Sequence, residues 1–253
     1  KFLKSILIVL IISFSLIAKA QDPQFSQFYA ASLYLNPAFT GNTTMGRFSG
    51  IYRNQWASIP GAFVSYAFAY DHNIPSYNSG VGMMITHDKA GSGGLKFTNV
   101  AGLYSYAFKL KRKLFLRTGI KFSYTFRGLD KSELIFADQI IRDGAAETIQ
   151  VFSDDGISYF DAASGALLYS ENYWAGVSFD HITQPQQSFL NRPASLPIKT
   201  SVHGGYNFIL EEGIKGETES SITATFNYKH QLNWNQLDIG AYYNKKAFVF
   251  GMW

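Results

Sequence analysis

The residues that could do chemistry are scattered. Five histidines, His72, His87, His181, His203 and His230, fall at strand ends or inside strand-like stretches, with no ligand spacing among them. Lining or interfacial positions account for them better than a metal, which needs several donors converging at close spacing. Catalysis by a nucleophile needs a base and an orienting group within reach, and no Gly-x-Ser-x-Gly elbow or comparable signature is present. The chain has no Cys, which removes thiolate nucleophiles, thiolate metal sites and disulfides together. The stretch Asp88-Lys89-Ala90-Gly91-Ser92-Gly93-Gly94 imitates a phosphate loop, but such loops open a helix and this one precedes a strand. Asp154-Asp155-Gly156 is too short for a calcium loop, whose oxygen ligands spread over about a dozen positions. The chemistry points to a non-enzymatic protein without cofactor or metal.

What remains is a ladder of cations, and the element carrying it explains the rest. In Lys113–Arg127, Leu114, Leu116, Ile120, Phe122, Tyr124 and Phe126 share one parity, while Arg117, Gly119, Lys121, Ser123, Thr125 and Arg127 share the other. Alternation of this kind makes a strand with an oily face and an ionic one. Strands of soluble sandwiches run about five or six residues. This one, at roughly 3.3 Å per residue, reaches across a hydrocarbon layer at a tilt of about 45°. Because backbone polar groups in lipid must be paired, strands cross membranes in closed barrels. The expected fold is all-β, a transmembrane antiparallel β-barrel with Arg117, Lys121 and Arg127 lining the lumen.

Composition agrees with this reading. Among 253 residues, 17% are aromatic and 22 are Gly, which suits pleated surfaces, interfacial girdles and tight turns. Mean hydropathy is close to zero, as expected when an oily outside averages with a polar inside. The net charge of +4 is spread over turns and one parity of strands, so nucleic acid is not an expected partner.

Lys1 and Lys4 flank an apolar run, Ile6 to Ile17, that ends in Ala18-Lys19-Ala20, and residues 1–20 read as a secretory signal peptide. Residues 21–43 form an N-terminal segment. Asp22-Pro23 is an N-cap and first helical position, Phe25, Phe28, Tyr29 and Leu33 repeat at three and four residues, and Asn36-Pro37 ends the pattern. A short helix is expected there, at the periplasmic mouth or inside the lumen.

Residues 44–253 read as the barrel, with strands at about 44–56, 61–72, 79–88, 96–109, 113–127, 157–170, 173–182, 197–210, 219–230, 235–244 and 247–253. The two longest connections, about 128–156 and 183–196, then fall on one side and most short turns on the other, the asymmetry of bacterial outer-membrane barrels. Single-chain bacterial barrels have even strand numbers, so an odd count predicts that the chain stops before the cylinder closes.

Six stretches carry a resemblance. DPQFSQFYAASLYLNPAFTGN (Asp22 to Asn42), YRNQWASIPGAF (Tyr52 to Phe63), HDKAGSGGL (His87 to Leu95), LIFADQ (Leu134 to Gln139), HITQPQQSF (His181 to Phe189) and LPIKTSVHGGY (Leu196 to Tyr206) occur in that order. Together they resemble the PorP/SprF family of the type IX secretion system of Bacteroidota, over nearly the whole chain after the leader. The resemblance implies an outer-membrane barrel that anchors, or supports export of, surface proteins such as gliding adhesins. It also implies a periplasmic OmpA-like lipoprotein that binds peptidoglycan. Three surfaces are candidates for partners: Asp22, Pro23, Phe25, Phe28 and Tyr29 in the N-terminal segment; Arg53, Asn54, Gln55 and Trp56 at the outer rim; and Pro185, Phe189 and Pro197 in an outer loop, where Phe189 is expected to be exposed. The alternative is a porin-like channel in which the cation ladder favours anions.

Overall fold

A computed structural model describes residues 31–58, 61–91, 94–129, 134, 137–142, 156–189, 193–212, 218–246 and 248–252. The leader and Asp22, Pro23, Phe25, Phe28 and Tyr29 lie outside the described residues.

Eleven strands form one antiparallel sheet in sequence order: β1 (Gly46–Gln55), β2 (Phe63–Ile74), β3 (Ser79–Ala90), β4 (Leu95–Lys111), β5 (Leu114–Gly128), β6 (Gly156–Tyr169), β7 (Tyr173–Asp180), β8 (Lys199–Glu212), β9 (Thr218–Gln231), β10 (Trp234–Lys245) and β11 (Phe248–Met252). Each matches an expected strand, and burial alternates along most of them, although β11 is exposed throughout. Among the described residues no pairing joins β11 back to β1.

The two faces differ as the pleat requires. On β5, Ile120, Phe122, Tyr124 and Phe126 are exposed, while Arg117, Ser123 and Thr125 are buried. On β2, aromatic on both parities in the sequence, Phe68 and Tyr70 face out and Ser65, Ala67, Ala69 and Asp71 face in. The buried side chains of β9 are Ser220, Ser221, Thr223, Thr225 and Asn227, while Ile222, Phe226 and Tyr228, opposite in parity to the last four, are exposed. Such a sheet, with aromatic and aliphatic residues outside and hydroxyls, amides and ions inside, is inverted relative to a water-soluble core. Water would leave that outer surface unstable; lipid covers it. No helix among the described residues is long and apolar enough to cross a membrane.

The sheet is rolled. Residues 31–41, a helical turn Ser32–Leu35 followed by a 3-10 turn Pro37–Phe39, lie within it and touch inward residues from β2 to β8. The helical turn stops at Asn36, as read from the sequence, and Leu33 packs on Ala69, Met84, Ala101 and Leu103. The described part of the N-terminal segment is therefore in the lumen.

At one end the strands are joined by short turns such as Ser170–Asn172. At the other stand the long connections, the first holding a helical turn Ala137–Ile141 and the second a small hairpin bridged at Gln186 and Ser195.

A charge on the outer face discriminates this arrangement from a soluble sheet. Phe122→Lys, at the middle of β5, is expected to destabilise the protein folded in liposomes by about 2–4 kcal/mol, and Leu110→Lys, near the rim, by about 0–1 kcal/mol. Urea titration followed by tryptophan fluorescence measures both.

Candidate functional site

The site is the inner wall. It begins with a run of small residues in direct register across six neighbouring strands: Gly80 faces Ser105, Ser105 faces Gly119, Gly119 faces Gly165, Gly165 faces Ser178 and Ser178 faces Ser201. This row leaves a trough at right angles to the strands, and Asn36 to Gly41 lie along it. A Cβ on Gly119 would sit 2.4 Å from the Ala38 nitrogen, one on Gly80 2.3 Å from the Thr40 carbonyl oxygen, and one on Gly165 2.1 Å from Asn36 Oδ1. Only glycine allows two backbones to approach so closely.

The segment's polar groups, cut off from water, find partners on the wall. Asn36 is fully buried; its Nδ2 donates to the carbonyls of Ala166 and Val177 at 3.2 and 3.1 Å, and its Oδ1 accepts from the Ala38 amide at 2.8 Å. Its amide nitrogen also lies 3.2 Å from His203 Nε2. Ser178 Oγ donates to the Leu35 carbonyl at 2.9 Å. The Thr40 carbonyl accepts twice, from Ser105 Oγ and Arg117 Nη1, each at 2.6 Å. The Gly41 amide donates to Asp71 Oδ2 at 2.7 Å, and Asp71, fully buried, is paired with Arg47 Nε at 2.9 Å. Phe39 stacks on His203 and meets Trp174 edge-on, with centroids 5.7 and 5.6 Å apart.

Above this trough, toward the long connections, Asp180 bridges two strands' lysines: Lys121 at 2.8 Å and Lys199 at 3.5 Å. Both ammonium groups lie over the Tyr34 ring, 6.0 and 5.4 Å from its centre. Beside them His181 Nδ1 meets Asp161 at 2.5 Å, and Thr183 donates to the same carboxylate at 2.8 Å. Among the described residues no three His, Asp or Glu converge on a metal position. At the short-turn end, outside the sheet, Lys246 binds Glu219 at 2.9 Å, and that hydrogen bond and charge raise the ammonium above its usual pKa.

The residues singled out from sequence separate into distinct places. Arg117, Lys121 and Arg127 project inward at three levels: Arg117 on the N-terminal segment, Lys121 on Asp180, and Arg127 on Gln187 of the long hairpin. They do not form a free ladder, since each is engaged with a neighbour. At the end of β1, Arg53 and Gln55 face in and are half-buried, while Asn54 and Trp56 face out. Trp56 takes a left-handed φ of 59° and meets Phe63 edge-on at 5.4 Å. In the loop, Pro185 is buried, with its carbonyl accepting from the Leu196 amide. Phe189, expected to be exposed, is half-buried with the Arg127 guanidinium 5.9 Å from its ring. Phe189 is thus less exposed than expected, and Gln187 beside it accepts from Arg127. Pro197 is half-buried and accepts from Gln231 at 3.0 Å.

Sequence reasoning missed Asn36, Thr40, Asp71 and the glycine row. The signal was there: glycines on the inward parity of β3, β5 and β6.

A sheet oily outside, ionic inside and wrapped on its own inserted segment defines a β-barrel type of membrane protein whose interior is occupied from within. A family model described as type IX secretion system membrane protein PorP/SprF matches residues 17–253. The chain belongs to that family. A comparison with curated proteins finds no match.

The trough can be tested with two glycines. Gly119→Ala, which drives a methyl into the Pro37–Ala38 backbone, is expected to cost about 1–3 kcal/mol. Gly102→Ala, on the outer face with open space around it, should stay within about 0.5 kcal/mol. Equal stability of the two variants in urea titration would show that the segment is not held there.

Proposed function

We propose that this type IX secretion membrane protein works as a non-enzymatic scaffold in the outer membrane, anchoring or supporting the export of surface proteins such as gliding adhesins. On its periplasmic face it meets a peptidoglycan-binding, OmpA-like lipoprotein. The observation that carries the reading is the occupied interior. Residues 31–41 take the space a solute would need, and they are held by buried hydrogen bonds from six strands. A barrel built to pass solutes keeps its cations free to meet them, whereas here Arg117, Lys121 and Arg127 are spent on the protein itself. This weighs against the porin-like alternative.

In this reading the short-turn end, where β1 begins, faces the periplasm and the long connections face outward. The periplasmic partner then has the turns to recognise, with Lys113 paired to Glu171 and Lys246 to Glu219 as exposed charges. The outer partner has the rim around Trp56 and the outer surface of the folded-back hairpin. Asp22 to Tyr29 remain a candidate contact in the N-terminal segment.

Affinity purification of the tagged protein from native membranes is expected to bring along a peptidoglycan-binding lipoprotein and a surface adhesin. In planar bilayers the purified protein should show no steady conductance. A stable anion-selective current, with no co-purifying partner, would replace the scaffold by the channel.

A further inference from the structure

The turn between β4 and β5 is built unlike the others. Four of the five residues Lys109-Leu110-Lys111-Arg112-Lys113 are cationic, and all four cations are exposed. Among the described residues only Lys113 of the four has an acidic partner, Glu171 at 2.8 Å, in a pair where both side chains are largely exposed. Lys109, Lys111 and Arg112 thus present three uncompensated charges at one point of the rim.

The same turn carries lipid-facing residues. Tyr106, Phe108 and Leu110 all lie on the outer parity of β4 and are exposed, and Tyr106 and Phe108 pack edge to face at 4.8 Å. Tyr at this height marks the level where hydrocarbon gives way to headgroups. β3 stops pairing at Tyr106, one further bond runs from the Ala107 amide to the Asn78 carbonyl at 2.8 Å, and past it this strand end pairs with β5. Across the sheet, the corresponding end of β8 carries Glu211, and at the β10–β11 turn Lys246 is paired with Glu219.

We infer that the β4–β5 turn is a binding site for the phosphate of an anionic phospholipid, with Lys109, Lys111 and Arg112 holding the headgroup and Phe108 and Leu110 lying against its acyl chains. A solvated charge run has no need of two exposed apolar side chains in the same hairpin; a lipid uses both. Three donors with flexible stems can surround one phosphate, and Arg112 can offer it two parallel N–H groups. The site rests on the membrane-spanning fold and is independent of which partner the secretion system supplies.

The test uses the whole chain in nanodiscs of phosphatidylcholine containing phosphatidylglycerol, with retained lipids counted by native mass spectrometry. The wild-type protein should retain phosphatidylglycerol in preference to phosphatidylcholine. Each cation removed should cut that preference on the order of five-fold, the factor that about 1 kcal/mol per basic residue gives. Lys109→Gln/Lys111→Gln/Arg112→Gln should abolish it, while Lys245→Gln/Lys246→Gln at the β10–β11 turn should leave it in place. Millimolar inorganic phosphate should not displace the lipid; full competition would mean a site for free phosphate and would overturn the lipid assignment. Equal retention by wild type and triple variant would also overturn it. So would a triple variant that keeps its lipid selectivity but loses a co-purifying periplasmic protein, since the turn would then be a protein-docking face. Because retention is read on pure protein, its failure is distinct from failure of the scaffold role.

Discussion

The structure depends on a backbone lying on a backbone. Where Asn36 to Gly41 cross the inner wall, the strands beneath offer glycine or serine at one level, so the segment comes close enough for its carbonyls and amides to bond to side chains of the wall. An irregular stretch inside a membrane is tolerated only if every polar group is satisfied within the protein. Arg117, Ser105, Ser178, Asp71 and the peptide groups of β6 and β7 meet that demand here. The buried ions are in turn explained by it. Arg117 is held in the interior by the Thr40 carbonyl, which accepts from it, and Asp71 by the Gly41 amide and Arg47, which both donate to it.

This arrangement links the two faces of the molecule. Outward residues answer to lipid alone and need only be apolar, which is why Phe, Tyr, Ile, Leu and Val alternate there with little else. Inward residues answer to a particular neighbour. The level of Gly119 fits the Pro37 backbone, the level of Lys121 fits Asp180 and Tyr34, and the level of Arg127 fits the returning hairpin at Gln187 and Phe189. Three inward positions of one strand thus serve three different partners, and a one-residue slip of β5 would cost all of them.

The strands were legible because each is a local pattern: alternation along ten or so residues marks the pleat without reference to anything far away. The helical stop at Asn36-Pro37 was legible for the same reason. The trough was not, since its members are neighbours only after eight strands have been laid side by side, and single glycines in separate strands look like turn or bulge residues. The loop residue Phe189 misled in a related manner. A proline-flanked aromatic reads as exposed, and only contact with Arg127, some sixty residues earlier in sequence, folds it inward. The cation ladder was seen as a set, but its division among three partners follows from what lies opposite each rung.

Asn36 and His203 are 167 positions apart and touch. Between them the chain must lay down seven strands, each hydrogen-bonded to the last, before that contact can form. The stretch that precedes the sheet therefore serves as its mandrel, and its contacts are complete only when β8 is in place. Separations of this length slow assembly, and a protein that winds onto its own beginning has every reason to do so in the keeping of other factors.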